Sequence, residues 1–346
     1  TQGKPTESNA IKIPKIELPK GGGTIKSIDE KFQVNAVNGT ASLSVPLPLS
    51  PGRNGNTPQL SLSYNSGGGN SEFGLGWNVG IPNIQRKTEK ELPLYRDADE
   101  SDTFIIAGAE DLVPEMVEIN GKWERVIITN GTKIIKRYRP RIEGLFSRIE
   151  KIEDSGNVYW KVTSKENVVS VYGATPAGRI LNPADANQIF SWNLEYTYDD
   201  KGNFIRYVYK QEDDTNLPVS VSEKNRIGGL APYTNTYLKS VLYGNREAYY
   251  VEDGLPAPNQ PEDFLFELVF DYGEHNLNKP KPNDNNPWLT RKDPYSTYRS
   301  GFEIRTYRRC NRVLMFHRFD ELSPNPYLVR SLDFKYEENE NFTYLE

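Results

Sequence analysis

Sulfur and histidine are scarce in this chain: one cysteine, two methionines and two histidines among 346 residues. A single cysteine, Cys310, makes no internal disulfide and supports no cysteine-rich zinc site. It stands in an Arg/Tyr run and reads as a half-buried strand residue rather than a nucleophile. A two-histidine metal site would need both His275 and His317 plus a carboxylate, yet the two lie far apart in different strand contexts. No Gly-x-Ser-x-Gly elbow marks a serine nucleophile. No apolar run approaches the roughly 20 residues of a membrane helix, and Thr1–Pro5 begins no apolar signal core. The charges nearly cancel, 42 Lys+Arg against 47 Asp+Glu for a net of -5. Without a basic stripe, nucleic acid is not an expected partner.

Four motifs come near to chemistry and miss. Gly74, Gly76 and Gly80 depart from dinucleotide-loop spacing and precede no amphipathic helix, so they read as tight turns. The segment Asp97–Asp102 alternates carboxylates, but an EF-hand needs glycine sixth and glutamate twelfth, where this chain has Asp102 and Gly108. A solvated acidic turn is the expectation there. Glu89-Lys90-Glu91 and Glu338-Asn339-Glu340 fit the Glu-x-Glu of arginine-directed ADP-ribosyltransferases, but the accompanying Ser-Thr-Ser strand motif is absent. No residue is therefore assigned a catalytic, cofactor-binding or metal-binding role, no cofactor is expected, and the chain is read as a non-enzyme.

What the chain has in quantity is aromatic side chains, 21 Tyr, 14 Phe and 5 Trp, which a disordered polar chain would lack. Gly 27 and Pro 24 suit many short strands and turns. The alternation has period two. Ala41, Leu43, Val45, Leu47 and Leu49 share one face, and Pro46 and Pro48 require that strand to lie at an edge or end early. Phe190, Trp192, Leu194, Tyr196 and Tyr198 form a second face, Phe264 to Tyr272 a third, and Val313 to Phe319 a fourth. Asp199–Asn203 reads as a hairpin turn, and Asn278–Trp288 as a long exposed loop. The expectation is an all-β, mostly antiparallel chain with less than about a fifth helix, arranged as a curved extended sheet or sandwich-like module. Residues 1–17 form a lead-in arm and 18–346 one domain. Leu328–Tyr336 alternates as a last strand with an open edge, so self-association is expected.

An ordered series of motifs adds a resemblance. It runs Leu18–Gly23, Glu30–Phe32, Asn38–Pro46, Ser50–Arg53, Pro58–Tyr64 and Phe73–Trp77, then Arg86–Thr88, Leu92–Asp97, Glu100–Asp102 and Gly108–Pro114. At the far end come Asp293–Tyr295, Tyr298–Glu303, Arg305–Arg308, Arg312–His317 and Leu328–Ser331. The series resembles the SpvB/TcaC N-terminal domain of virulence-plasmid B proteins and of the B components of insecticidal toxin complexes. Tyr196–Phe204 is also similar to one YD/RHS repeat, a strand–turn–strand unit.

The resemblance implies a non-catalytic module of a secreted toxin or virulence protein, assembled in the bacterial cytoplasm. The module would form part of an RHS-type hollow β-shell that encapsulates a toxic effector. It implies as partners a downstream β-propeller and RHS shell, other toxin-complex components and the encapsulated effector polypeptide, with no membrane insertion by this domain. In plasmid B proteins it places the ADP-ribosyltransferase in a separate C-terminal domain. The alternative reading is a surface- or glycan-binding β-module that uses exposed aromatics.

Overall fold

The computed structural model describes residues 31–34, 41–107, 110–142, 147–226, 233–252 and 257–346. The lead-in arm 1–17 and the motifs at 18–30 and 38–40 lie outside them. Among the described residues there is no α-helix, only strands and four single 3-10 turns.

Eight strands form a closed circuit. They are β1 (Asn83–Arg86), β2 (Phe104–Ile106), β3 (Glu110–Pro114), β4 (Lys133–Pro140), β5 (Arg148–Asp154), β6 (Asn157–Thr163), β7 (Val169–Tyr172) and β8 (Asp185–Tyr198). Each pairs antiparallel with the next, and β8 returns to β1 through Ser191↔Gln85 and Asn193↔Asn83. Closure removes the free edges that such a meander would otherwise expose.

Side chains from strands that are not neighbours meet inside. Phe104 of β2 lies 5.0 Å from Trp160 of β6 and 5.8 Å from Trp192 of β8, and Tyr138 of β4 lies 5.0 Å from Trp160, centroid to centroid. Four alternate strands thus contribute one aromatic layer, which is how a small barrel fills its interior. The rings meet tilted or edge-on, the arrangement the ring quadrupole favours.

The fourteen residues of β8 are long enough to serve a second sheet. Its C-terminal end pairs with β9 (Phe204–Gln211), and the meander continues through β10 (Thr236–Asn245), β11 (Phe264–Asp271), β12 (Arg312–His317) and β13 (Tyr327–Asp333). The turn from β8 to β9 is the expected hairpin. Gly202 takes φ +81°, and the Asp199 carboxylate accepts the backbone N–H groups of Lys201 and Asn203 at 2.9 Å. One apolar cluster runs without a break from barrel residues Ile149, Trp160 and Trp192 into Val241, Leu268 and Val313 of the sheet. Among the described residues β13 has a partner on one side only, so the sheet ends in an open edge as the alternation predicts.

A smaller antiparallel sheet precedes the barrel: Lys31–Val34, Ala41–Pro46, Ser61–Asn65 and Trp77–Val79 in that order. The strand at Ala41 stops at Pro46, as its prolines require. It is paired on both sides, with Val45 opposite Leu62. The expected loop at 278–288 is present, but it ends in a buried residue: Trp288 is 1% exposed in the main core.

Candidate functional site

Among the described residues, three places stand out as candidates. The first joins Asp271, Glu274 and His275, whose ligand atoms lie within 4.8 Å of one another. Asp271 ends β11, and its carboxylate caps the following turn by accepting from the N–H groups of Gly273 and His275. That turn carries Glu274 and His275 back over the sheet, against Lys239 of β10 and Arg312 of β12. Lys239 Nζ is 2.8 Å from His275 Nε2 and 3.1 Å from Glu274, Lys210 is 3.1 Å from Glu274, and Arg312 Nε donates to Asp271 at 2.6 Å. His275 Nδ1 donates to the Lys281 carbonyl at 2.7 Å, so Nε2 is the lone pair facing the ammonium.

Burial, then the Lys239 charge, pushes the His275 pKa down. Burial raises that of Glu274, but Lys239 and Lys210 outweigh it and the net direction is down. Every ligand atom a metal would use is committed to a protein cation or a backbone group. The cluster is a network that pins the loop 273–288 onto the sheet. Sequence reading placed His275 in a plain turn; the Asp271-x-x-Glu274-His275 spacing was a signal, but Lys239 and Arg312 reach it only through the fold.

The second place is the barrel mouth, where Asp97 meets Arg86 of β1 and Lys151 of β5. Asp97 Oδ1 accepts from Arg86 Nη1 at 2.6 Å, and Oδ2 accepts from Arg86 Nη2 at 3.1 Å and from Lys151 Nζ at 2.7 Å. The expectation of a solvated acidic turn is wrong here. Asp97–Asp99 is a 3-10 turn, but its first carboxylate points inward to two side chains that are each 1% exposed. Partial burial raises the Asp97 pKa, and the Arg86 and Lys151 interactions overcome this and hold it at about 2.

The third place is an exposed hairpin, Met116–Ile119 paired with Lys122–Arg125, inserted between β3 and β4. Glu118 stands opposite Trp123 and Val117 opposite Glu124, so Trp123 and Val117 lie on opposite faces. Trp123 is 68% exposed and Val117 42%. Together with the edge of β13, it is a described surface open to another protein.

The remaining candidates fall elsewhere. Cys310 is fully buried rather than half-buried, its thiol pushed well up by burial. His317 Nε2 lies 2.7 Å from Ser50 Oγ and 267 residues along the chain from it. Glu89 pairs with Lys87 and Glu338 with Arg309, in separate regions of the fold. Gly74 and Gly76 both have positive φ, as tight turns require. Of the aromatics on the β8 stripe, Trp192 is fully buried and Tyr196 packs with Phe204, whereas Trp123 is exposed.

The closed barrel continuing into an open sheet is a β-rich architecture that solved toxin components share. In solved structures it is similar to TcdB2-TccC3 at 37% identity and TM-score 0.78, covering 96% of this chain and 16% of that one. A Photorhabdus luminescens Tc holotoxin pore matches at 36% identity and TM-score 0.78, covering 98% of this chain and 16% of that one. Residues 35–319 match the family described as Salmonella virulence plasmid 65kDa B protein, and the chain belongs to that family. The N-terminal domain of the effector protein SpvB from Salmonella typhimurium strain LT2 matches at 33% identity and TM-score 0.74, over 87% of this chain and 96% of that domain.

Curated relatives include Mono(ADP-ribosyl)transferase SpvB of Salmonella typhimurium (strain 14028s / SGSC 2262) and of Salmonella dublin, each 34% identical over 344 residues. The match covers 95% of this chain and 55% of those proteins, so the chain spans about half their length. The name of these relatives overturns the reading of the sequence as that of a non-enzyme. Among the described residues no helix is long and apolar enough to cross a membrane.

Proposed function

We propose that this chain is a wall-forming module of a secreted bacterial toxin or virulence protein, contributing sheet to a β-shell that holds an effector polypeptide for delivery. The observation that carries the reading is the asymmetry of the long sheet. One end is sealed into a barrel, and the other stops at β13, where among the described residues one side of a seven-residue strand has no strand partner. Unpaired N–H and C=O groups along a strand are a template for the next strand. In a shell, that edge receives further strands, and the barrel is a rigid terminus from which the wall grows. The likeness to chains of TcdB2-TccC3, of which this one covers 16%, supports the reading, because there the same fold is part of a much larger polypeptide. Toxin-complex components and an effector are the partners this role calls for, and secretion is its setting.

The experiment is light scattering on the chain across a wide concentration range, with Arg330→Pro and Ser331→Pro in parallel. Successive N–H groups along a strand point to opposite sides, so one of the two prolines removes an outward donor and leaves the β12 pairing intact. Concentration-dependent association that this variant abolishes, at unchanged melting temperature, supports edge-directed assembly. A strictly monomeric chain at high concentration opposes it.

A further inference from the structure

We propose that the mouth of the barrel is a carboxylate-binding site, which the chain fills with its own Asp97. Arg86 and Lys151 stand on β1 and β5, which lie four strands apart on the eight-strand circuit and so face each other across the barrel. Both cations reach inward to the same carboxylate. The guanidinium grips it with two nitrogens and the ammonium with one, the fork geometry by which arginine recognises a planar carboxylate.

Aromatic faces complete the cage. The Arg86 guanidinium carbon lies 4.7 Å from the Tyr95 ring centre and 5.1 Å from that of Phe104, and Lys151 Nζ lies 5.3 Å from the Phe104 centre. Backbone supplies a further anchor, with Arg86 Nε donating to the Ile189 carbonyl at 2.8 Å. The cations are thus held from behind by the barrel wall while their free donors point at one spot.

The other charged groups nearby have separate duties. Asp102 accepts from Arg86 Nη1 at 2.6 Å, but it also accepts the backbone N–H groups of Leu94 and Tyr95 and so closes its own loop. Glu153 is 3.7 Å from Lys151 and nearer to Lys136, at 3.2 Å. Asp97 alone bridges the two walls. Its side chain is 29% exposed, whereas the cations are 1% exposed, so the ligand enters from solvent and the site lies behind it. The loop that brings it is tied elsewhere as well: Tyr95 Oη donates to the Ser300 carbonyl at 2.5 Å, and Arg125, at the base of the exposed hairpin, donates to Glu100 at 2.8 Å. Docking one carboxylate therefore sets the positions of the barrel mouth, the hairpin base and the 295–306 segment together.

The test is chemical rescue of Asp97→Ala. The variant leaves two inward-facing donors around a vacancy of carboxylate size. Sodium formate should raise its melting temperature by at least roughly 3 °C relative to sodium chloride at matched ionic strength. Acetate should act more weakly and phosphate less still, since neither fits a planar vacancy lined by Phe104. If the variant is unfolded in chloride, folding restored by formate is the same readout. Asp97→Asn, which refills the space, should show no formate effect, and Asp97→Ala with Lys151→Met should lose most of it. Equal stabilisation by all salts would mean that the variant responds to screening alone, and no response to formate in any variant would overturn the site.

Discussion

At Gly76 the backbone has φ +80°, and an added Cβ would sit 2.6 Å from the Tyr64 ring and 2.9 Å from the Asn65 carbonyl oxygen. At Gly74, with φ +91°, it would meet the Thr343 carbonyl oxygen at 2.8 Å. Strain and contact act in the same direction, so Gly76→Ala or Gly74→Ala should each lower stability by about 1 kcal/mol or more. Gly80→Ala, where nothing lies within 4 Å, is the control. Wild-type melting temperatures in both variants would refute the assignment. Acid stability turns on other single residues. Partial burial raises the pKa of Glu303, but hydrogen bonds from Arg226, Ser296 and Tyr298 outweigh it and hold it at about 2, against an ordinary 4.5. Because the folded value is depressed, its contribution is complete above about 4.5 and is lost as pH falls toward about 2. Glu303→Gln should therefore be less stable at neutral pH and should lose less stability across that window, read from denaturant midpoints at stepped pH. An unchanged slope would show that Glu303 does not govern the acid transition.

For individual elements, the period-two pattern was enough to find β8, β11 and β12, because one face of each packs in the main core, although the other face of β11 and β12 is buried as well. It was not enough to say which face. Phe190, Trp192, Leu194, Tyr196 and Tyr198 read as one stripe, but the pairing of β8 with the strand Arg179–Asn182 shifts between Ser191 and Ile189, and with β7 between Leu194 and Tyr196. Each bulge skips a residue and turns the side chains beyond it to the other face. Ile189, Trp192 and Leu194 therefore join the main core, while Tyr196 and Tyr198 pack with Phe204, Tyr249 and Phe264. Bulges depend on partners distant in sequence, so local alternation is blind to them. The barrel mouth was hidden for the same reason: Asp97 looks solvated until β1 and β5 are placed opposite one another. The hairpin 116–125 is the converse case, a paired element with neither face buried. Trp123→Ser should leave the melting temperature within about 1 °C of wild type, since an exposed ring adds little to folding. A large fall would mean that the ring packs against the chain.

The whole molecule is governed by the sharing of β8. Its middle, Ser191–Asn193, closes the barrel against β1, and its C-terminal end opens the second sheet by pairing with β9. Tyr209 of β9 donates to the Leu194 carbonyl of β8 at 2.8 Å, which fastens the junction. Two domains joined by a linker would unfold in two steps; two sheets that share a strand and one unbroken apolar cluster cannot separate without breaking both. A single cooperative transition is therefore expected, with equal amide protection in Ile149–Ile152 of the barrel and Leu268–Phe270 of the sheet. Trp192 sits where the two meet. It is fully buried, ringed by Phe104 and Trp160, and its indole N–H donates to the Val158 carbonyl at 2.9 Å. Trp192→Ala should cost about 3–5 kcal/mol and lower protection on both sides by the same factor, although no described sheet strand beyond β9 touches the barrel circuit through its backbone. Hydrogen exchange that falls in the barrel alone, or a thermal scan that splits into two transitions, would show that the open sheet stands on its own core and that β8 only joins two independent units.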